Sequence, residues 1–224
     1  MSINNYNSVL DSVTNTSRFH GLLSTLPWMV RDMVKCKSCG FNDYLTQKVR
    51  DIASQLGILD PQYVAIKTSE KEGAIAGDNH ILISQEYAAA LENATSLFTA
   101  EEVEGTLAHE IGHLALDHSN SLLADPCFDA VDNGLIKPSS DTFQICLAKA
   151  NRQIEKQADL FTLREPSLAK KLIQMMKKWL LLSGSSVPSS SFDHHPRTET
   201  RIDYLREGYC DTVQYNDIDL CNIS

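Results

Sequence analysis

The chain has 224 residues, 42% of them hydrophobic and 22% charged. That is enough apolar material for one large or two small domains to fold without a metal or disulfide framework, and it argues against global disorder. Twenty Lys and Arg against 29 Asp and Glu leave a net charge of −9, which argues against a nucleic-acid-binding surface. The most apolar run, Leu172 to Leu182, is about half the roughly 20 residues a membrane span needs, and it contains Lys177 and Lys178. Met1 to Leu10 is polar and Asn-rich, without the cationic start and apolar core of a secretory signal. These features predict a soluble, cytoplasmic protein, with export by a non-Sec route also open.

In chain order, Phe19 to Val34 carries Leu22, Leu23, Leu26, Trp28, Met29 and Met33 but is broken by Pro27. It reads as two short helices packed on the body, or as an arm toward a membrane surface or partner. Residues 1–42 are therefore set apart as an N-terminal extension, and 43–224 as the main domain. Leu45, Val49, Ile52 and Leu56 recur at helical spacing before Gly57. Tyr63 to Lys67, Gly73 to Ala76 and His80 to Ile83 read as short strands, the last two joined by Gly77-Asp78-Asn79. Tyr87 to Leu91 looks helical.

A strong helix start follows. Thr99 and Glu102 fit a capping box, with Phe98 and Val103 placed for a hydrophobic staple. Val103, Leu107, Ile111 and Leu114 then form an apolar stripe, so a helix is predicted to about His118. Ser119 to Ser140 reads as a long loop. Helices are predicted from Phe143 to Phe161, from Leu168 through Trp179, and after Pro196, which suits a first helical turn. Ser183 to Ser191 is a Ser-rich loop. The fold class is α+β, mainly helical, with a small antiparallel sheet packed on the capped helix.

Six cysteines (Cys36, Cys39, Cys127, Cys146, Cys210 and Cys221) are too few for a disulfide scaffold in a chain of this length. They read chiefly as free thiols, with a structural metal or redox pair at Cys36 and Cys39 as a lesser reading.

The capped helix contains His109-Glu110-Ile111-Gly112-His113. Residues four apart lie about 40° apart around a helix and about 6 Å along it, so two imidazoles converge on one ion from one face. Glu110 lies beside them, placed to reach a metal-activated water. Two histidines leave a catalytic zinc one protein ligand short. His118, Asp117, Glu155, His194 and His195 are candidates for the third. His118 lies about 180° round the helix from His109 and needs a bend to approach. A third histidine ten residues after the first would fall at Ser119, which is not a ligand.

Three ordered stretches together resemble the M48 family of zinc metallopeptidases: Thr106 to His118, Glu155-Lys-Gln-Ala-Asp159, and His195-Pro-Arg-Thr-Glu-Thr-Arg201. A fourth, Gly73 to Ile83, looks like the family's edge strand and hairpin. The resemblance covers roughly residues 43–207. It implies a zincin-like domain with one Zn2+ on His109, His113 and Glu155, and Glu110 as general base. It also implies that Asp159 orients a ligand histidine, that His195 stabilises the oxyanion, and that Arg201 organises the carboxylates or substrate. The edge strand Gly73, Ala74, Ile75 and Ala76 would pair with the substrate. Relatives often carry Asn-Ala there, where this chain reads Gly73-Ala74. Many relatives are membrane-embedded, and this chain looks like a compact soluble version.

The resulting expectation is a zinc metalloendopeptidase acting on a polypeptide substrate. The alternative is a catalytically silent, zinc-stabilised binding or scaffold protein of the same fold. A latent enzyme, with Cys36, Cys39 or Cys127 blocking the fourth zinc position, is a further reading.

Overall fold

The computed structural model describes residues 40–68, 73–183, 195–213 and 218–221. The N-terminal segment to residue 39, with Cys36 and Cys39, the Ser-rich loop from residue 184 and His194 lie outside the described residues. Strand β1 (Gly40–Phe41) and helix α1 (Asp43–Gln55) lead into β2 (Val64–Lys67), β3 (Ala74–Ala76) and β4 (His80–Ile83). Helix α2 (Gln85–Leu91) precedes α3 (Ala100–Ala115), the helix carrying the two histidines. Then come α4 (Asp125–Asp132), α5 (Asp141–Phe161), α6 (Pro166–Ser183), α7 (Thr198–Thr212) and the short α8 (Ile218–Cys221).

The start of α3 follows from its sequence. Thr99 Oγ1 accepts from the Glu102 amide at 3.2 Å, and Glu102 Oε2 accepts from the Thr99 amide at 2.8 Å. Phe98 and Val103 are both buried, completing the staple. Leu107, Ala108 and Ile111 continue the buried stripe into a core shared with α1, α2, β2, β4 and α6. A Cβ on Gly105 would lie 2.4 Å from the Leu172 amide nitrogen, so the missing side chain is what lets α6 lie directly on α3. A second core joins α6, α7 and α8 through Leu172, Ile173, Met176, Ile202 and Leu205.

The sheet order is β1-β2-β4-β3. β1 and β3 run antiparallel to their neighbours, but β2 and β4 pair in parallel, Val64 opposite His80 and Lys67 opposite Ile83. The sheet is therefore mixed, not wholly antiparallel as expected. The reason lies in β4, whose four residues are all buried. Burial of every residue from His80 to Ile83 suits an interior strand covered on both faces. β3, with Ile75 exposed, takes the edge.

Three further expectations are corrected. The predicted loop from Ser119 to Ser140 contains α4, begun by Pro126 in its first turn. Helix α7 starts at Thr198, so Pro196 lies just outside it. The cysteines among the described residues are not free thiols: Cys127 joins Cys146, and Cys210 joins Cys221. The first bond ties α4 to α5 and the second ties α8 to α7. With Cys127 so engaged, it is not a thiolate that could block the site.

Candidate active site

Helices α3 and α5 bring three side chains to one point. His109 Nε2 and His113 Nε2 are 3.1 Å apart. Glu155 Oε2 lies 3.3 Å from the first, and Glu155 Oε1 lies 3.5 Å from the second. Four ligands at the usual zinc bond lengths of about 2.0–2.1 Å stand about 3.3 Å from one another at the corners of a tetrahedron. The Glu155 carboxylate thus offers each nitrogen an oxygen near that spacing, and one ligand atom from each of the three residues can be chosen so that all lie within 4.8 Å of one another. Among the described residues, His109, His113 and Glu155 form the one group of at least three such side chains able to hold a metal ion. Glu155 Oε2 is moreover buried without a hydrogen bond, although His195 Nδ1 stands 3.1 Å from it. Nearby nitrogens supply charge, but none is aligned to donate. A buried carboxylate oxygen in that state fits a cation as its partner.

A second layer surrounds these groups. Asp159, one turn beyond Glu155 and fully buried, lies 2.8 Å from His109 Nδ1. Arg201 donates to the same carboxylate from Nε at 2.8 Å and from Nη2 at 2.7 Å, and Tyr204 donates to it through its hydroxyl. Arg201 Nη1 is 3.8 Å from Glu155 Oε2. On the other side, His113 Nδ1 meets His118 Nδ1 at 2.9 Å, and His118 Nε2 meets Gln157 Oε1 at 3.1 Å. Helix α3 ends at Ala115, and Asp117 takes a left-handed conformation with φ 51°. That is the bend by which His118 escapes the far face of the helix.

Charges in the site are strongly coupled. Burial acts to lower the His109 imidazole, yet the charge and hydrogen bond of Asp159, with Glu155 behind them, raise it to about 10. Burial and the His109 charge lower His113 to about 3. Burial works against ionisation of Glu155, but nearby His109 and His195 hold its carboxyl far below the usual range. Asp159 is likewise buried, yet falls to about 2 beside His109 and Arg201. The two carboxylates thus favour the protonated form of His109.

Glu110 faces the sheet. Its Oε2 accepts the Ala76 amide at 2.8 Å, and burial, with Glu155 nearby, raises its carboxyl to about 7. Of the expected edge strand, Ala74, Ile75 and Ala76 form β3, and Gly73 precedes it with φ 114°. Gly77 donates to the His80 carbonyl, and Ser84 donates to the Gly73 carbonyl. By the alternation of an antiparallel ladder, residues 73, 75 and 77 face β4, while Ala74 and Ala76 turn their backbone groups outward. His195 lies at the rim with its side chain 67% exposed.

The structure thus brings together His109, Glu110, His113, Glu155, Asp159, His195 and Arg201, with the edge strand alongside. The residues missed in the sequence are Gln157 and Tyr204, together with the place of His118 behind His113. Tyr204 follows Arg201 by one helical turn, and that spacing was the only available signal for it. A carboxylate-and-imidazole group able to hold a cation, set between two helices and closed at one edge by a small mixed sheet, is the arrangement of a zincin-like metallopeptidase domain. Over residues 41–208 the chain matches the family model described as Peptidase family M48, and it belongs to that family. It is accordingly a peptidase of a metallopeptidase family, with polypeptide as its class of substrate. Comparison with curated proteins gives no match. Among the described residues, no helix is long and apolar enough to cross a membrane.

Proposed function

We propose that the chain is a zinc-dependent endopeptidase, with one Zn2+ held by His109, His113 and Glu155. The observation that carries this reading is the approach of His109 Nε2 and His113 Nε2 to 3.1 Å, with one Glu155 oxygen 3.3 Å from the first and the other 3.5 Å from the second, and Glu110 beside them on the histidine helix. Zinc bound there would polarise the scissile carbonyl and make the attacking water more acidic.

The rest of the chemistry belongs to the chain. Glu110, steadied through Oε2 by Ala76, takes the proton of the attacking water on Oε1 and hands it to the leaving amine. His195 donates to the carbonyl oxygen as charge develops on it. Arg201 locks Asp159, which keeps the His109 proton on Nδ1 and directs Nε2 at the metal. The outward amide and carbonyl of Ala74 and the Ala76 carbonyl pair with an extended substrate, giving recognition with little sequence preference. Two disulfides favour an oxidising setting over the cytoplasmic one expected from the sequence.

The test pairs metal analysis with cleavage of an unfolded protein. Wild type should carry about one zinc per chain, as a single three-ligand site requires. Glu110→Gln should keep the zinc and lose at least about 100-fold in cleavage, the lower end of what a general base contributes. Equal cleavage by both proteins would reject the catalytic assignment and leave the binding or scaffold reading.

A further inference from the structure

We propose that His118 and Gln157 form a neutral relay that fixes the proton of His113 on Nδ1, so that its Nε2 lone pair faces the metal position. The inference deepens the zinc-peptidase reading by assigning two positioning residues to the same site, and it rests on that reading for their purpose.

The direction of the relay follows from donor and acceptor chemistry. Gln157 Oε1 only accepts, so at 3.1 Å the proton between it and His118 belongs to His118 Nε2. A neutral imidazole protonated there has a bare Nδ1. That bare nitrogen lies 2.9 Å from His113 Nδ1 and accepts its proton. His113 Nε2 is then left bare, 3.1 Å from His109 Nε2 and 3.5 Å from Glu155 Oε1. The reverse chain, beginning from the Gln157 amide N–H, would put the proton on His113 Nε2 and close the site to a cation. Only the first direction is compatible with a metal.

The local backbone is built to hold the relay. Asp117 turns the chain with φ 51°, and its Oδ1 accepts from Asn120 Nδ2 at 2.9 Å. His118, on the following 3-10 turn, is buried under His113. Gln157 comes from α5, between Glu155 and Asp159, so the helix that supplies the carboxylate ligand also supplies the end of the relay. The two histidines are oriented by opposite chemistry. His109 is backed by a carboxylate and a guanidinium, and His113 by an uncharged imidazole and an amide. A carboxylate behind His113 would add a fourth acid to Glu110, Glu155 and Asp159 around one divalent ion, whereas a neutral acceptor orients the ring without adding charge.

The direct test uses 15N-labelled, metal-free full chain at pH 8 and reads histidine tautomers from long-range 1H–15N correlations. The expected result is His113 protonated on Nδ1 alone and His118 on Nε2 alone. His113 found in the Nε2–H form, or averaging between forms, would overturn the relay. The second arm measures zinc affinity by chelator competition. His118→Leu and Gln157→Leu should weaken binding about 10–100-fold, as loss of such supporting partners does elsewhere. His118→Asn, whose Oδ1 stands where Nδ1 was, should restore binding to within about threefold of wild type, because the supporting acceptor is kept. Leu and Asn variants binding zinc alike would also overturn the proposal. Wild type with the expected tautomers but no zinc uptake would instead reject the zinc reading and leave the relay standing. Should a Leu variant fail to fold, the wild-type tautomers remain decisive.

Discussion

Gly112 lies against the backbone of Ala158: a Cβ added to the glycine would stand 2.8 Å from the Ala158 carbonyl oxygen. This contact sets how close α3 and α5 come, and hence whether Glu155 reaches the two histidines. Gly112, the second of the two residues between Glu110 and His113, is therefore a spacing element between the helices that carry the two histidines and Glu155.

Gly112→Ala should push the helices apart. Stability should fall by about 1–3 kcal/mol, the usual cost of overpacking. Zinc affinity should fall as well, because Glu155 moves away with α5. Urea unfolding of the metal-free protein and chelator competition measure the two effects separately. Unchanged zinc affinity in a destabilised protein would show that the spacing does not control the site.

Asp159→Asn should be among the most damaging single changes. Asp159 is fully buried and receives His109, both arms of Arg201 and the Tyr204 hydroxyl. Neutralising it leaves the Arg201 guanidinium buried without its carboxylate, for which a loss of about 3–5 kcal/mol is typical. Tyr204→Phe removes only one donor and should cost about 1 kcal/mol. Denaturant midpoints of the two variants provide the comparison, and similar values would deny Asp159 its central place.

Proton linkage gives a third expectation. In the metal-free protein His109 is raised to about 10. A raised pKa means the folded state holds the proton more tightly than the unfolded chain. The contribution is fully present below the unfolded value of about 6.5 and is lost as pH rises through about 10. Metal-free protein should therefore lose stability between pH 7 and 10, while His109→Gln should show a shallower slope. Zinc bound through His109 would displace this proton, so mixing metal and protein at pH 8 in weak buffer should acidify the solution. No acidification on uptake would mean that His109 is already neutral.

The disulfides supply a fourth. Cys210 and Cys221 enclose a short loop and hold α8 on the second core, where Leu220 is buried. Cys210→Ser with Cys221→Ser should lower stability by about 2–4 kcal/mol. The thermal midpoint of wild type should drop on adding reductant, while that of the double variant should drop less, because Cys127–Cys146 alone remains. Peptide mapping without reduction should recover both linkages, and free thiols at these four positions would contradict them.

Much of the site was legible because its residues announce themselves locally. The capping box at Thr99 and Glu102 fixes the start of α3, and the four-residue spacing of His109 and His113 then fixes their common face. Pairing between distant segments leaves no such trace. Nothing in Val64 to Lys67 says that its partner is His80 to Ile83, or that the two run parallel. His118 was placed on the far side of an ideal helix. The helix ends three residues before it, and a left-handed Asp117 carries it back, which a helical wheel does not represent. Gln157 is an ordinary helix residue whose meaning depends entirely on what His118 needs. The cysteines were misread because their partners are set by the packing of α4 on α5 and of α8 on α7, not by spacing.

The bond from Ala76 to Glu110 has a consequence for ligand chemistry. Of the backbone groups that β3 turns outward, the Ala76 amide is already committed to Glu110. An extended inhibitor laid along this edge therefore meets the Ala74 amide and the carbonyls of Ala74 and Ala76, but no free donor at position 76. A peptidomimetic gains nothing from a carbonyl opposite that amide, and an acceptor strong enough to capture it would pull the support away from Glu110. The productive design leaves that atom as a methylene and puts its hydrogen-bonding groups two residues earlier, against Ala74.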